Sequence, residues 1–183
     1  MAGWNGGGHR IIIPMTYQQD ITVTSMTRGG YGFRDGSAAQ AQFSGAIALA
    51  SMDDGSVLVV DMGNHRIRLI SANGEHVRTV AGSVVGGHQD GPAAQARFNF
   101  PSGVVVLSGG RILIADRLNH RIRLISADLQ QVSTVAGDGT QGHRDGCATQ
   151  ATFYCPRGLA MLPDGRVLVS QAHCIRVIGA DLQ

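Results

Sequence analysis

The stretch VVDMGNHRIRLISANG, Val59 to Gly74, returns 55 residues later as IADRLNHRIRLISADL, Ile114 to Leu129. The same step carries Asp35-Gly36 to Asp90-Gly91 and on to Asp145-Gly146, and Phe43 to Phe98 and Phe153. A third copy, VSQAHCIRVIGADL, runs from Val169 to Leu182 and has lost two residues before its His. A fainter fourth stands at Gly8-His9-Arg10-Ile11-Ile12-Ile13. Several anchors holding one period mark a chain of repeated structural units.

Within each unit the pattern is that of strands. Arg66-Ile67-Arg68-Leu69 and Arg121-Ile122-Arg123-Leu124 alternate, which puts arginines on one face and aliphatics on the other, as in a half-buried strand. Val57–Val60 and Ile112–Ala115 are continuous apolar runs of the kind buried on both faces. Val104–Leu107 and Leu159–Leu162 read likewise, and the β-branched runs Val77–Val80 and Val132–Val135 close each unit before an Ala-Gly turn. The Ala-Ala-Gln-Ala stretch between Gly91 and Phe98, with its copies, suits a single helical turn. Four short strands joined by Gly, Asp and Asn turns and repeated at this period predict an all-β chain of propeller blades.

Composition fits one such domain. The chain has 183 residues, 43% hydrophobic and 15% charged, with a formal net charge of +2, which excludes a histone-like or acidic-tail protein. All fifteen basic residues are Arg. Cys147, Cys155 and Cys174 form no CxxC pair and read as free thiols of a reducing compartment. No signal peptide or membrane span fits the N-terminal region, so the expected location is cytoplasmic.

The residues also carry a resemblance. Phe98-Asn-Phe-Pro101-Ser-Gly103, Ile114-Ala-Asp116, Asn119-His120-Arg121-Ile122 and Thr134-Val-Ala-Gly137 together resemble the NHL repeat, and the likeness extends over nearly the whole chain from His9 onward. The resemblance implies that each repeat forms one blade of a β-propeller, most often of six blades. The expected organisation is a flexible Gly-rich N-terminus at 1–8 and one propeller domain at 9–183. That domain divides into a partial blade at 9–30, blades at 43–82 and 98–137, and an incomplete blade at 153–179.

The fold class expected is therefore an incomplete NHL-type propeller of about three four-stranded blades. Propellers close with four to eight blades, so one chain cannot close a ring: either it is a fragment of a longer propeller, or two copies assemble, or it is an open arc with an uncovered apolar face. With a c-type strand at His9–Ile13 and a d-type strand at Ile21–Ser25, the last blade, Leu159–Ile178, lacks its own d strand. Two copies can exchange that strand and close a six-bladed homodimer, with His9–Ile13 left over.

Each motif that could carry chemistry has a structural reading. Asp61 with Arg66, and Asp116 with Arg121, flank a hairpin and suit an ion pair that pins it. In the third copy Gln171 and Cys174 stand at those places, so both partners are expected to be lost together. His65, His120 and His173 recur in an outer turn, where one residue per blade cannot converge on a metal. A hydrogen bond from each to backbone across its own hairpin is expected instead. Asp35, Asp90 and Asp145 beside glycine suit local capping of the turn, and Phe43, Phe98 and Phe153 suit the core.

No phosphate loop, calcium loop or catalytic nucleophile motif stands out, so no catalytic residue, metal or cofactor is expected. NHL relatives include RNA-binding propellers and propeller enzymes of the lyase or hydrolase kind. The five Phe, three Tyr and one Trp make few stacking platforms for RNA. The expected function is a non-catalytic module for protein–protein interaction or scaffolding, with an unidentified protein partner; nucleic acid is the second reading and enzyme the third.

Overall fold

The computed structural model describes residues 23–180 of the chain. It is built from thirteen described strands in three antiparallel sheets. The first sheet contains β1 (Gly36–Ser37), β2 (Ala46–Ser51), β3 (Val57–Asp61), β4 (Arg66–Ile70) and β5 (His76–Gly82) in the order β1-β5-β4-β3-β2. The second repeats it with β6 (Gly91–Pro92), β7 (Pro101–Val106), β8 (Ile112–Asp116), β9 (Arg121–Ile125) and β10 (Gln131–Ala136). The third holds β11 (Leu159–Met161), β12 (Val167–Ser170) and β13 (Ile175–Ile178). These are propeller blades, each a meander that runs outward from β2, β7 or β11, with β1 and β6 on the outer edges of the first two.

Register follows the repeat. Asp61 faces Arg66 in β3–β4 and Asp116 faces Arg121 in β8–β9, each hairpin closed by a 3-10 turn, Met62–Asn64 or Arg117–Asn119. The blades stack through apolar faces. Leu58, Val60, Ile67 and Leu69 of the first meet Phe98, Ile112 and Ile114 of the second. Leu113, Ala115 and Ile122 then meet Phe153, Val167 and Val169 of the third. Each large aliphatic or aromatic side chain buried there contributes about 1.5–3 kcal/mol.

The Ala-Gly that closes a blade has a steric reason. Gly82 and Gly137 sit at φ 101° and 95°, and a Cβ on either would lie 2.4 or 2.5 Å from the carbonyl oxygen of His65 or His120. Only glycine allows that approach.

Three details depart from the strand pattern read in the sequence. The two-residue strands β1 and β6 add a fifth strand to the outer edge of the first two blades, which the turn-rich Asp-Gly segments did not suggest. Beyond them the Ala-rich segments do form a single turn, with Gln95 and Ala96 both donating to the Pro92 carbonyl. The alternation in β4 and β9 also does not produce a wet arginine face, since Arg68 and Arg123 are fully buried. Of the expected d-type strand, residues 23–25 are in no strand, and residues 21 and 22 lie outside the described residues, as do the Gly-rich N-terminus and His9–Ile13.

Candidate functional site

The repeat anchors converge on one buried guanidinium per blade. Arg68 Nη1 donates to Asp61 Oδ2 at 2.8 Å, Nε donates to Asp35 Oδ1 at 2.8 Å, and the carbonyls of Gln42 and Arg34 accept the rest. Arg123 repeats this with Asp116 at 2.8 Å, Asp90, and the carbonyls of Arg97 and Gln89. Each guanidinium also lies over the recurring phenylalanine, Phe43 at 4.8 Å, Phe98 at 5.1 Å and, for Arg176, Phe153 at 5.2 Å. Phe98 and Phe153 are buried and Phe43 half-buried. Two carboxylates and several carbonyls offset the cost of removing the arginine from water.

This arrangement corrects the expected ion pairs. Asp61 and Asp116 pair with Arg68 and Arg123, two residues beyond Arg66 and Arg121. The side chain directly opposite in a strand pair is near in Cβ, but the longer reach along the same face places the second arginine's fork on the carboxylate. Arg66 instead donates to the Asn64 carbonyl and covers the Phe33 ring at 3.9 Å, and Arg121 donates to the carbonyls of Asn119 and Asp138.

The third blade has therefore not lost both partners. Arg176 keeps the arginine's place, donating to the carbonyls of Thr152 and Arg144 and pairing with Asp145 at 2.6 Å. Only the carboxylate has changed. Gln171 Oε1 accepts from Tyr154 N–H at 2.9 Å, as Asp116 accepts from Asn99 N–H at 2.8 Å.

The Asp-Gly aspartates are more than turn caps. Asp35 accepts from both Thr79 N–H and Thr79 Oγ1, and Asp90 from Thr134 in the same way, so each ties a loop to the outer strand of its blade. Burial alone would raise the Asp90 carboxyl, and the Arg123 guanidinium with the Thr134 donors holds it below the usual range. Asn64 and Asn119 join the inner aspartate to a loop carbonyl, Gly32 or Gly87.

The histidines act between blades. His65 and His120 occupy the left-handed position after each 3-10 turn, at φ 54° and 55°. His65 Nδ1 accepts from Phe100 N–H and His120 Nδ1 from Cys155 N–H, both at 3.1 Å and both in the following blade. The bond thus crosses to the next blade rather than the residue's own hairpin. Burial pushes both rings below their ordinary pKa, with Arg66 and Arg121 adding to the effect, which suits a neutral acceptor. Among the described residues no three His, Cys, Asp or Glu side chains group as metal ligands, and the three cysteines are free.

A different set of residues forms the axial cavity, about 520 Å³ in volume. It is lined at equivalent repeat positions by Ile47 and Ser102 and Arg157 from the innermost strands or their approaches, and by Met62 and Arg117 from the 3-10 turns. The repeat varies here: an apolar side chain in the first blade becomes polar in the second or third. Ser102 Oγ already donates to the Pro156 carbonyl at 3.0 Å. The guanidinium groups of Arg117 and Arg157 have no ion pair or hydrogen bond among the described residues, the buried Arg117 Nε included, and no carboxylate lines the cavity. Sequence reading passed over both arginines because it followed what repeats; the signal was the failure to repeat.

Residues 98–123 match the family described as NHL repeat. NHL repeat-containing protein 2 of Gallus gallus is 41% identical over 86 residues, which are 47% of this chain and 12% of that protein. The Homo sapiens protein of the same name is 36% identical over 100 residues, 55% of this chain and 13% of that one. Among solved structures, a Bacteroides thetaiotaomicron protein of unknown function is 26% identical with a TM-score of 0.63, covering 68% of this chain and 32% of its own. An auxiliary nutrient binding protein from the same organism, 22% identical with a TM-score of 0.58 over 66% of this chain and 33% of its own, shares the fold. The chain spans about one eighth of the curated relatives and about a third of these solved chains. No helix among the described residues is long and apolar enough to cross a membrane.

Proposed function

We infer that this chain, whose residues 98–123 match the NHL repeat, serves as a non-catalytic binding module, and that its axial cavity receives an acidic segment of a partner protein. The observation that carries this reading is the pair of guanidinium groups, Arg117 and Arg157, in a cavity without a carboxylate. Elsewhere in the chain buried arginine forks are matched to aspartates, so a fork left unmatched at a concave surface is a receptor for an anion. A glutamate or aspartate side chain supplies the two acceptor oxygens that a guanidinium takes in parallel. The absence of any aromatic side chain from the lining favours a peptide over single-stranded RNA, whose bases need a stacking surface.

The test is fluorescence anisotropy with labelled hexaglutamate, hexaglutamine and oligouridine on the chain and on an Arg117→Ala, Arg157→Ala variant. Hexaglutamate should bind best, weaken with added salt, and lose about tenfold or more in affinity on the double variant. Equal binding of hexaglutamate and hexaglutamine, or no loss on the variant, overturns the reading. Tighter binding of oligouridine assigns the cavity to nucleic acid instead.

A further inference from the structure

Arg117 and Arg157 share one end of the blades with other residues that break the repeat. Arg66 is paired with Gly82 and Pro101 with Asp116, so the hairpin turn of a blade, the loop that leaves it and the approach to the next innermost strand meet at that end. Arg117 belongs to such a turn and Arg157 to such an approach. Three aliphatic residues stand there too: Val84 and Val85 in the loop that leaves the first blade, and Leu118 next to Arg117. One repeat away, Gly139 and Thr140 take the places of the valines, and Gly63 that of Leu118.

These side chains fill no space in the core. Val84 is 73% exposed, Val85 53% and Leu118 40%. The loop lies between the first two blades and the turn belongs to the middle one, so neither is exposed by an edge of the arc. Other groups hold both in place. Gly86 packs against the His65 ring, Asn119 Nδ2 donates to the Gly87 carbonyl at 2.7 Å, and Leu118 N–H donates to the Asn99 carbonyl at 2.9 Å. The bond from Asn119 sets turn and loop side by side, with Arg117 and Leu118 on one flank and the valines on the other. The glycine in the copy has a packing reason that Val84 lacks, since a Cβ on Gly139 would run into the Arg121 guanidinium. Single exposed aliphatic residues are ordinary, but three on adjoining elements, beside two unmatched guanidinium groups, form a patch.

We propose that this end of the blades holds an extended protein segment in which acidic residues are flanked by aliphatic ones. Its carboxylates enter the axial cavity to Arg117 and Arg157, and its aliphatic side chains cover Val84, Val85 and Leu118. The inference rests on the acidic reading of the cavity and adds what stands beside the carboxylate. The cavity sets the sign of the occupant, with two guanidinium groups and no carboxylate. The rim sets the rest, because a purely acidic segment would leave the valines and Leu118 in water, and a phosphate or nucleic acid brings no aliphatic group to cover them. An extended chain turns successive side chains to opposite sides, so a short stretch of both kinds serves cavity and rim together.

Fluorescence anisotropy with three labelled hexapeptides, Leu-Leu-Glu-Glu-Leu-Leu, Ser-Ser-Glu-Glu-Ser-Ser and Leu-Leu-Gln-Gln-Leu-Leu, separates the two contributions. Leucines on both sides make the result independent of chain direction. The first peptide should bind about tenfold or more tighter than either of the others. A Val84→Thr, Val85→Thr, Leu118→Gln variant keeps the shape of the valines and should bind the first peptide no better than the second, with its thermal unfolding midpoint unchanged. Equal binding of the two glutamate peptides to the unmodified chain overturns the inference, as does a leucine preference that survives in the variant. In either case the acidic reading stands if hexaglutamate still binds better than hexaglutamine. A glutamine peptide that binds as tightly as Leu-Leu-Glu-Glu-Leu-Leu shows an apolar surface indifferent to the arginines, which overturns the joint site. If no glutamate probe binds, both readings fall.

Discussion

Arg123 and Asp90 meet across thirty-three residues of chain, a fully buried strand guanidinium against a half-exposed loop carboxylate. The loop that enters a blade is thereby tied to that blade's third strand, and through Thr134 to its fourth. Asp116 completes the neutralisation from within the sheet.

Truncating the inner carboxylate should be severe. Asp116→Ala leaves Arg123 with a single half-exposed carboxylate beside its two carbonyls and Asn99 N–H with no partner, and should cost about 3–5 kcal/mol. Asp116→Asn keeps an acceptor for Asn99 and should cost less, about 1–3 kcal/mol. The third blade already uses a carboxamide there, Gln171, but its Arg176 side chain is 13% exposed rather than fully buried. Urea unfolding of both variants checks the order; equal losses would mean that charge, not the acceptor, sets the cost.

The interblade histidines make stability depend on pH. His65 and His120 are both held below their ordinary value, chiefly by burial. The unfolded chain therefore takes up protons first as pH falls, and the stability these rings carry is complete above about pH 6.5 and lost below it. The urea midpoint should drop between pH 7 and pH 5. In a His65→Gln, His120→Gln variant that part of the drop should shrink, and an unchanged slope would refute the assignment.

The blade architecture was legible because strand burial repeats with a fixed step, and Asp-Gly, Phe and Ala-Gly mark the same turn each time. What was not legible is which of two arginines on one face is buried. Arg66 and Arg68 look alike in a period-two pattern, and only the loop carrying Asp35 distinguishes them. The histidine bond was missed for a related reason: its acceptor role is to Phe100 N–H in another blade, and spacing within a hairpin holds no information about it. Arg117 and Arg157 are functional candidates because they break the repeat, so a reading that rewards periodicity passes over them.

The closing glycine offers a graded test. Gly137→Ala must accept φ 95° and a Cβ 2.5 Å from the His120 carbonyl oxygen, and should cost about 2–4 kcal/mol. Gly91 has a similar positive φ of 120° but open space around its Cβ, so Gly91→Ala should cost about 1 kcal/mol. Thermal unfolding of the pair checks this, and comparable shifts would show that backbone dihedral rather than crowding dominates.

The hairpin of the third blade should be the first to open. The hairpins at Asp61–Arg66 and Asp116–Arg121 are each closed by a 3-10 turn whose Asn donates to a loop carbonyl and whose His accepts from the next blade. In the third, two residues shorter, the turn closes with Gln171 N–H on the Cys174 carbonyl, and the Gln171 carboxamide donates to Cys174 Sγ, a weak acceptor. Amide exchange reads such local opening directly. Ala172–Cys174 should therefore exchange faster than Gly63–His65 and Leu118–His120 under conditions where the chain stays folded. Slower exchange at Ala172–Cys174 than at Gly63–His65 would show that the Gln171–Cys174 contact, reinforced by His143, holds the short turn better than the longer hydrogen-bonded ones.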